Sequence, residues 1–109
     1  MSGTIVTGDD VALPVTLRKD GQTFAINLAS TVRAAVVSLD RSETLIAAVT
    51  LSNVATGADW ANSLVVAEFS SAESADATTT GPALLEIQVD DSGKTTWFLT
   101  VEITAGSIS

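Results

Sequence analysis

The 109-residue chain has no cysteine, no histidine and no tyrosine, and only five basic residues against thirteen acidic ones. Without Cys there is neither disulfide nor thiol nucleophile. Without His there is no His-based triad, and with both missing there is no ordinary zinc, haem or iron–sulfur site. The basic residues Arg18, Lys19, Arg33, Arg41 and Lys94 are scattered rather than clustered. That argues against nucleic acid and against anionic membrane surfaces, since phosphate recognition needs grouped Lys and Arg. No apolar run approaches the roughly 18 residues of a membrane span. The opening Met1-Ser2-Gly3-Thr4-Ile5-Val6-Thr7-Gly8-Asp9-Asp10 has no basic stretch followed by an apolar one, so no secretory signal is expected.

What remains is 46% apolar. A chain of this size removes about two-thirds of its unfolded surface on folding, so a core is expected rather than disorder. We expect one domain over residues 1–109, with 1–9 as a short arm or edge strand.

Alternation is the strongest pattern. Val11, Leu13, Val15 and Leu17 recur at every second position, which reads as a half-buried strand. Pro14 lacks an amide donor and places that strand at an edge or bulge. A turn at Lys19-Asp20-Gly21-Gln22 leads to Phe24, Ile26 and Leu28, so the first two strands are expected to form a hairpin. Val32 to Leu39 is apolar on both faces apart from Arg33 and Ser38, as in a central or covered strand. After a turn at Asp40-Arg41-Ser42-Glu43, Leu45, Val49 and Leu51 are expected to share a face. Helices over Ser30–Leu39 or Ser42–Leu51 are the rival reading, but Thr, Val and Ile favour strand.

A polar loop, Ser52 to Ser63, precedes a strand at Leu64–Phe69. A second loop, Ser70 to Gly81, is expected to be mobile or draped over the surface. Ala83, Leu85, Ile87 and Val89, the turn Asp90-Asp91-Ser92-Gly93, and then Trp97, Leu99, Val101 and Ile103 form the most regular hairpin. About seven short strands with frequent turn signals predict an all-β, immunoglobulin-like antiparallel β-sandwich.

Residues with reactive side chains do not assemble into a site. Asp90-Asp91-Ser92-Gly93 is too short for a calcium loop, which gathers six or more oxygens over about twelve residues. Asp9 and Asp10 lie at the far end of a strand from Asp20. Glu86 and Glu102 share a polar sheet face with Gln88, Thr96 and Thr100. No catalytic residue, metal ligand or cofactor site is expected, and the chain is not read as an enzyme.

Trp97 is in phase with the core. Trp60, on a loop, is expected to plug one end of the sandwich; the other reading makes it a contact residue. Leu84 and Phe98 fall on the face opposite the core, and Leu64 and Val66 are expected to extend it. The candidate interface is therefore Leu84, Phe98, Leu64, Val66 and Trp60, since a contiguous apolar patch marks a partner surface. A second reading makes Trp60, with Asn53, Asp59 and Asn62, a carbohydrate-binding platform.

Two stretches carry a resemblance. Gly8-Asp9-Asp10, the alternating segment after it and Lys19-Asp20-Gly21 are similar to the opening of N-terminal modules of baseplate upper proteins and tail-fibre attachment domains. Gly81 to Gly106 is similar to their close, with Leu85-Glu86-Ile87-Gln88-Val89, a glycine turn, and Trp97 to Ile103. Where that family often has Gly-x-Tyr, this chain has Gly81-Pro82-Ala83. The chain thus resembles the immunoglobulin-like modules of tailed-bacteriophage virion proteins. The resemblance implies a non-enzymatic structural protein, made in the host cytoplasm and resident in the virion. It implies an adaptor in the tail, neck or baseplate, or else a capsid decoration or head-fibre protein. The implied partners are other virion proteins and further copies of the chain, with no nucleic acid and no membrane.

Overall fold

A computed structural model of the chain describes residues 3–19, 21–23, 26, 30–54, 57–77, 79–90 and 94–104. The final hairpin is its centre. β8 (Gly81–Asp90) and β9 (Lys94–Thr104) pair antiparallel from Gly81↔Ile103 to Asp90↔Lys94. Ala83, Leu85, Ile87, Val89, Val101 and Ile103 are all buried, so the alternation in the sequence assigns the inward face correctly. Trp97 has the expected phase but sits at the rim, half-buried, where its indole N–H donates to the Arg18 carbonyl at 2.9 Å.

β5 (Thr31–Val37) pairs with β8 on one side and with β6 (Thr44–Thr50) on the other. It is therefore central, as its two-sided apolar character predicts. The β5–β6 register slips between Ala34 and Val36 and again between Val36 and Val37. Between the pairs Ala34↔Val49 and Val36↔Ile46, β6 carries one residue more than β5, the signature of a bulge. Ile46 is thereby turned into the core, while Ala47 and Ala48 are both exposed. Leu51 is buried, and Leu45 and Val49 are only half-buried at its margin. All three lie on the core side, so the expected common face of Leu45, Val49 and Leu51 stands, with Ile46 added to it.

β1 (Gly3–Val6) lies parallel to the end of β9, with Ile5 opposite Ile103. This makes a five-stranded sheet of order β1-β9-β8-β5-β6, with one parallel pair. The facing sheet is β2 (Val11–Thr16) against β7 (Leu64–Phe69), antiparallel from Val11↔Phe69 to Thr16↔Leu64. Pro14 sits opposite Val66 on a strand with one neighbour among the described residues, which suits a residue with no amide to donate.

The β2–β7 pairing is not among the expected ones; the second strand of the expected first hairpin lies mostly outside the described residues. At its turn the expected antiparallel ladder is present among the described residues, between β3 (Arg18–Lys19) and β4 (Gln22–Thr23). Phe24 and Leu28 lie outside the described residues. Ile26 is buried and ties its N–H to the Trp60 carbonyl at 3.0 Å.

Among the described residues, seven strands of four or more residues form an immunoglobulin-like sandwich. β2 and β7 hold the places of strands B and E, and β5, β8 and β9 those of C, F and G. The Cα radius of gyration is 13.5 Å, close to the roughly 13 Å of a single domain this long.

The segment from Ser70 to Gly81 does not drape freely. It begins with a helical turn, α1 (Ser71–Ser74), closed by a capping box: Ser70 and Glu73 each accept the other's backbone N–H. Asp10 Oδ1 accepts the Ser71 N–H at 2.8 Å. Ser74 is buried; its hydroxyl accepts from Gly8 N–H at 3.0 Å and donates to the Asp9 carbonyl at 2.6 Å. Ala77 is buried as well. The β7–β8 and β1–β2 connections are therefore locked together.

Candidate interaction surface

The outer face of the five-stranded sheet carries alternate residues of β5, β8 and β9. Leu84 pairs with Val37 on one side and Thr100 on the other, and Glu86 with Ala35 and Phe98. Phe98 and Leu84 are thus diagonal neighbours, within reach of each other across a β-ladder. Ala35 and Val37 are buried yet stand apart from the main core cluster, consistent with an outward apolar strip of their own. Phe98 is 39% exposed and Leu84 is half-buried. The sequence places these two correctly.

The β5–β6 turn, residues 38–43, reaches over this strip. Its Asp40 Oδ1 accepts from the Ser38 hydroxyl at 2.7 Å, the Ser42 hydroxyl at 2.7 Å and the Ser42 N–H at 3.0 Å. The Ser38 hydroxyl also accepts the Glu43 N–H, and the Arg41 N–H bonds the Ser38 carbonyl. These bonds hold Asp40 largely ionised: Ser38 first, then Ser42, lower its pKa from 3.8 to about 2. They also hold Arg41 at a left-handed φ of 63°, a costly conformation for a side-chain-bearing residue. In return the Arg41 guanidinium carbon sits 4.7 Å from the centroid of the Phe98 ring, a cation–π contact. Nothing in the sequence points to this pairing. Leu39, beside it, is 52% exposed.

Leu64 and Val66 do not extend the patch. β7 pairs with β2, so both residues belong to the opposite sheet. Val66 is 4% exposed, and a Cβ at Gly57 would come within 3.8 Å of it, so the connection before β7 covers it. Leu64 is half-buried and bridges to Asp59 through both backbone groups. Trp60 opens a 3₁₀ turn, Trp60–Asn62, and is 3% exposed. It plugs the sandwich, and its carbonyl accepts from both Ile26 and Ser63. An indole buried to that degree has no face for a sugar, which removes the carbohydrate platform. The Asn62 side chain is occupied with Asp59, at 2.8 Å.

The acidic residues serve the fold. Asp10 and Glu73 anchor α1, and Asp90 stands opposite Lys94. Glu86 and Glu102 share the outer face but face Phe98 and Pro82, about 13 Å apart along the strands. Paired glycosidase carboxylates stand closer, at about 5–9.5 Å. Asp20 and Asp91-Ser92-Gly93 lie outside the described residues. Among the described residues no three His, Cys, Asp or Glu side chains group to hold a metal ion, and no helix is long and apolar enough to cross a membrane.

No protein-family model and no curated protein sequence matches the chain.

Proposed function

We propose that the chain is a non-enzymatic structural module of a tailed-phage virion, an adaptor in the tail, neck or baseplate. It works by burying surface against its neighbours. The observation that carries this reading is the outward strip of Phe98, Leu84 and Val37 on a hydrogen-bonded sandwich, ringed by the polar residues Glu86, Thr100 and Glu102. An apolar centre with a polar rim is the anatomy of a protein contact. The sequence likeness to immunoglobulin-like virion modules supports the same reading, and repeated copies on a symmetric particle make modest affinity per copy sufficient.

The test is quantitative mass spectrometry of purified particles from the source, counting this chain against the major capsid protein. A small multiple set by tail symmetry is expected. A count near that of the capsid protein would instead make the chain a decoration or head-fibre protein. Its absence from particles would overturn the virion reading.

A further inference from the structure

We propose that an apolar cleft at the start of β1 is the seat of the chain's own Met1, which carries β1 two residues further along β9. The inference does not depend on the virion reading.

The cleft opens between the two sheets. Leu13, Pro14 and Val15 of β2 line one side, and Leu85, Leu99 and Val101 of the larger sheet line the other. Among the described residues no charged side chain lines it, and its atom-free space is about 260 Å³, open mouth included. Gly3 stands at its end. A Cβ there would come within 3.0 Å of the Leu13 side chain, so Gly3 is on the inward face and leaves Leu13 room to lie across β1.

Burial along β9 follows its partner. The inward residues Val101 and Ile103, opposite Gly3 and Ile5, are buried. Leu99 is the next inward residue back along β9, just short of where β1 begins, and it is only half-buried. Its neighbour on the other side, Leu85, is fully buried. Leu13 is half-buried as well. The two leucines that face the cleft are thus the ones left incompletely covered.

The occupant is read from the register. β1 and β9 run parallel with Gly3 opposite Val101. Met1 and Ser2 lie outside the described residues. Continuing the same register sets Ser2 opposite Thr100 and Met1 opposite Leu99. Side chains alternate along a strand, and Gly3 and Ile5 take the inward face, so Met1 falls inward and Ser2 outward. The side-chain chemistry agrees. Thr4 and Thr100 are exposed, so a serine continues a polar outer row, whereas a methionine meets leucines. An unbranched thioether also suits an irregular apolar gap. The tether to Gly3 gives Met1 an effective concentration in the millimolar range, which a second copy or another protein would have to exceed.

The test is NMR of the chain labelled with carbon-13 at the methionine methyl. Met1 is the sole methionine, so one methyl signal reports on it. That signal is expected to show nuclear Overhauser contacts to the Leu13 and Leu99 methyl groups, and to stand away from its position in urea. Leu99→Ala should move it, whereas Leu45→Ala, on the opposite edge of the same sheet, should leave it in place. The parent spectrum decides alone if the Leu99 variant does not fold. A methyl signal at its unfolded position, with no contact to Leu13 or Leu99, overturns the inference. So does a signal that a folded Leu99→Ala leaves unmoved, or a purified chain whose intact mass lacks Met1. Copy number on particles is a separate measurement and leaves this result untouched.

Discussion

Ser74→Ala isolates the bond that ties the two connections at one end of the sandwich. The buried Ser74 hydroxyl accepts from Gly8 N–H at 3.0 Å and donates to the Asp9 carbonyl at 2.6 Å. Its contact with the Ser71 carbonyl, at 3.2 Å, competes for the same proton and counts for little. Two hydrogen bonds at a net of about 1 kcal/mol each are therefore lost. An orphaned donor would add more if it were dry, but Gly8 and Asp9 are exposed and water can reach them. The expected loss is about 1–2 kcal/mol, or a melting midpoint lower by about 5–10 °C for a domain of this size. Urea unfolding followed by tryptophan fluorescence measures it, with an unchanged m-value showing that only the tie was removed. A loss below about 0.5 kcal/mol, the scale of an ordinary surface substitution, would refute the reasoning.

Three further outcomes are expected. Ser63 is fully buried at a φ of 69°, and its hydroxyl has no hydrogen-bond partner among the described residues. Ser63→Gly should therefore stabilise by about 0.5–1 kcal/mol in the same unfolding assay, since relief of strain and of a dry hydroxyl exceeds the entropy of glycine. Arg41→Ala should cost about 0.5–1 kcal/mol through the lost Phe98 contact, whereas Arg41→Gly, which also relieves the left-handed backbone, should be near neutral. Carboxyl NMR should find Asp40 titrating at about 2 rather than 3.8, with Ser38→Ala moving it upward. Because the folded pKa is the lower one, this group's contribution is complete above about pH 4 and fades as pH falls through about 2.

Strands with solvent on one side were legible because burial leaves a period of two. Ala83 to Val89 and Val101 to Ile103 alternate without interruption, and Leu64–Phe69 has the bounds expected of it. Long-range partners were not legible. Nothing local tells Val11 that it will face Phe69, and Leu64 and Val66 were misplaced for the same reason. On β6 the inward face of Leu45, Val49 and Leu51 was legible, but Ile46 was not, because register shifts break the period there. The capping box of Ser70 and Glu73 was readable as Ser-x-x-Glu, but a four-residue helix has too few apolar positions to show a face. Within the candidate surface, Phe98 and Leu84 followed from strand phase. The Arg41 clamp followed from nothing in the sequence, because it depends on where a turn folds back in space.

The parallel pairing of β1 with β9 has a kinetic consequence. Ile5 and Ile103 meet across almost the whole chain, whereas Asp90 and Lys94 meet across one turn. Closing the longer loop costs about 4 kcal/mol of chain entropy, against about 1 kcal/mol for the turn. That contact therefore gains most by forming after the hairpin and the two sheets have already brought the ends together. On a ribosome β1 is made before β9, so Ile5 waits, unburied, while the strands between them are synthesised. The larger sheet acquires its fifth strand only when β9 has left the exit tunnel.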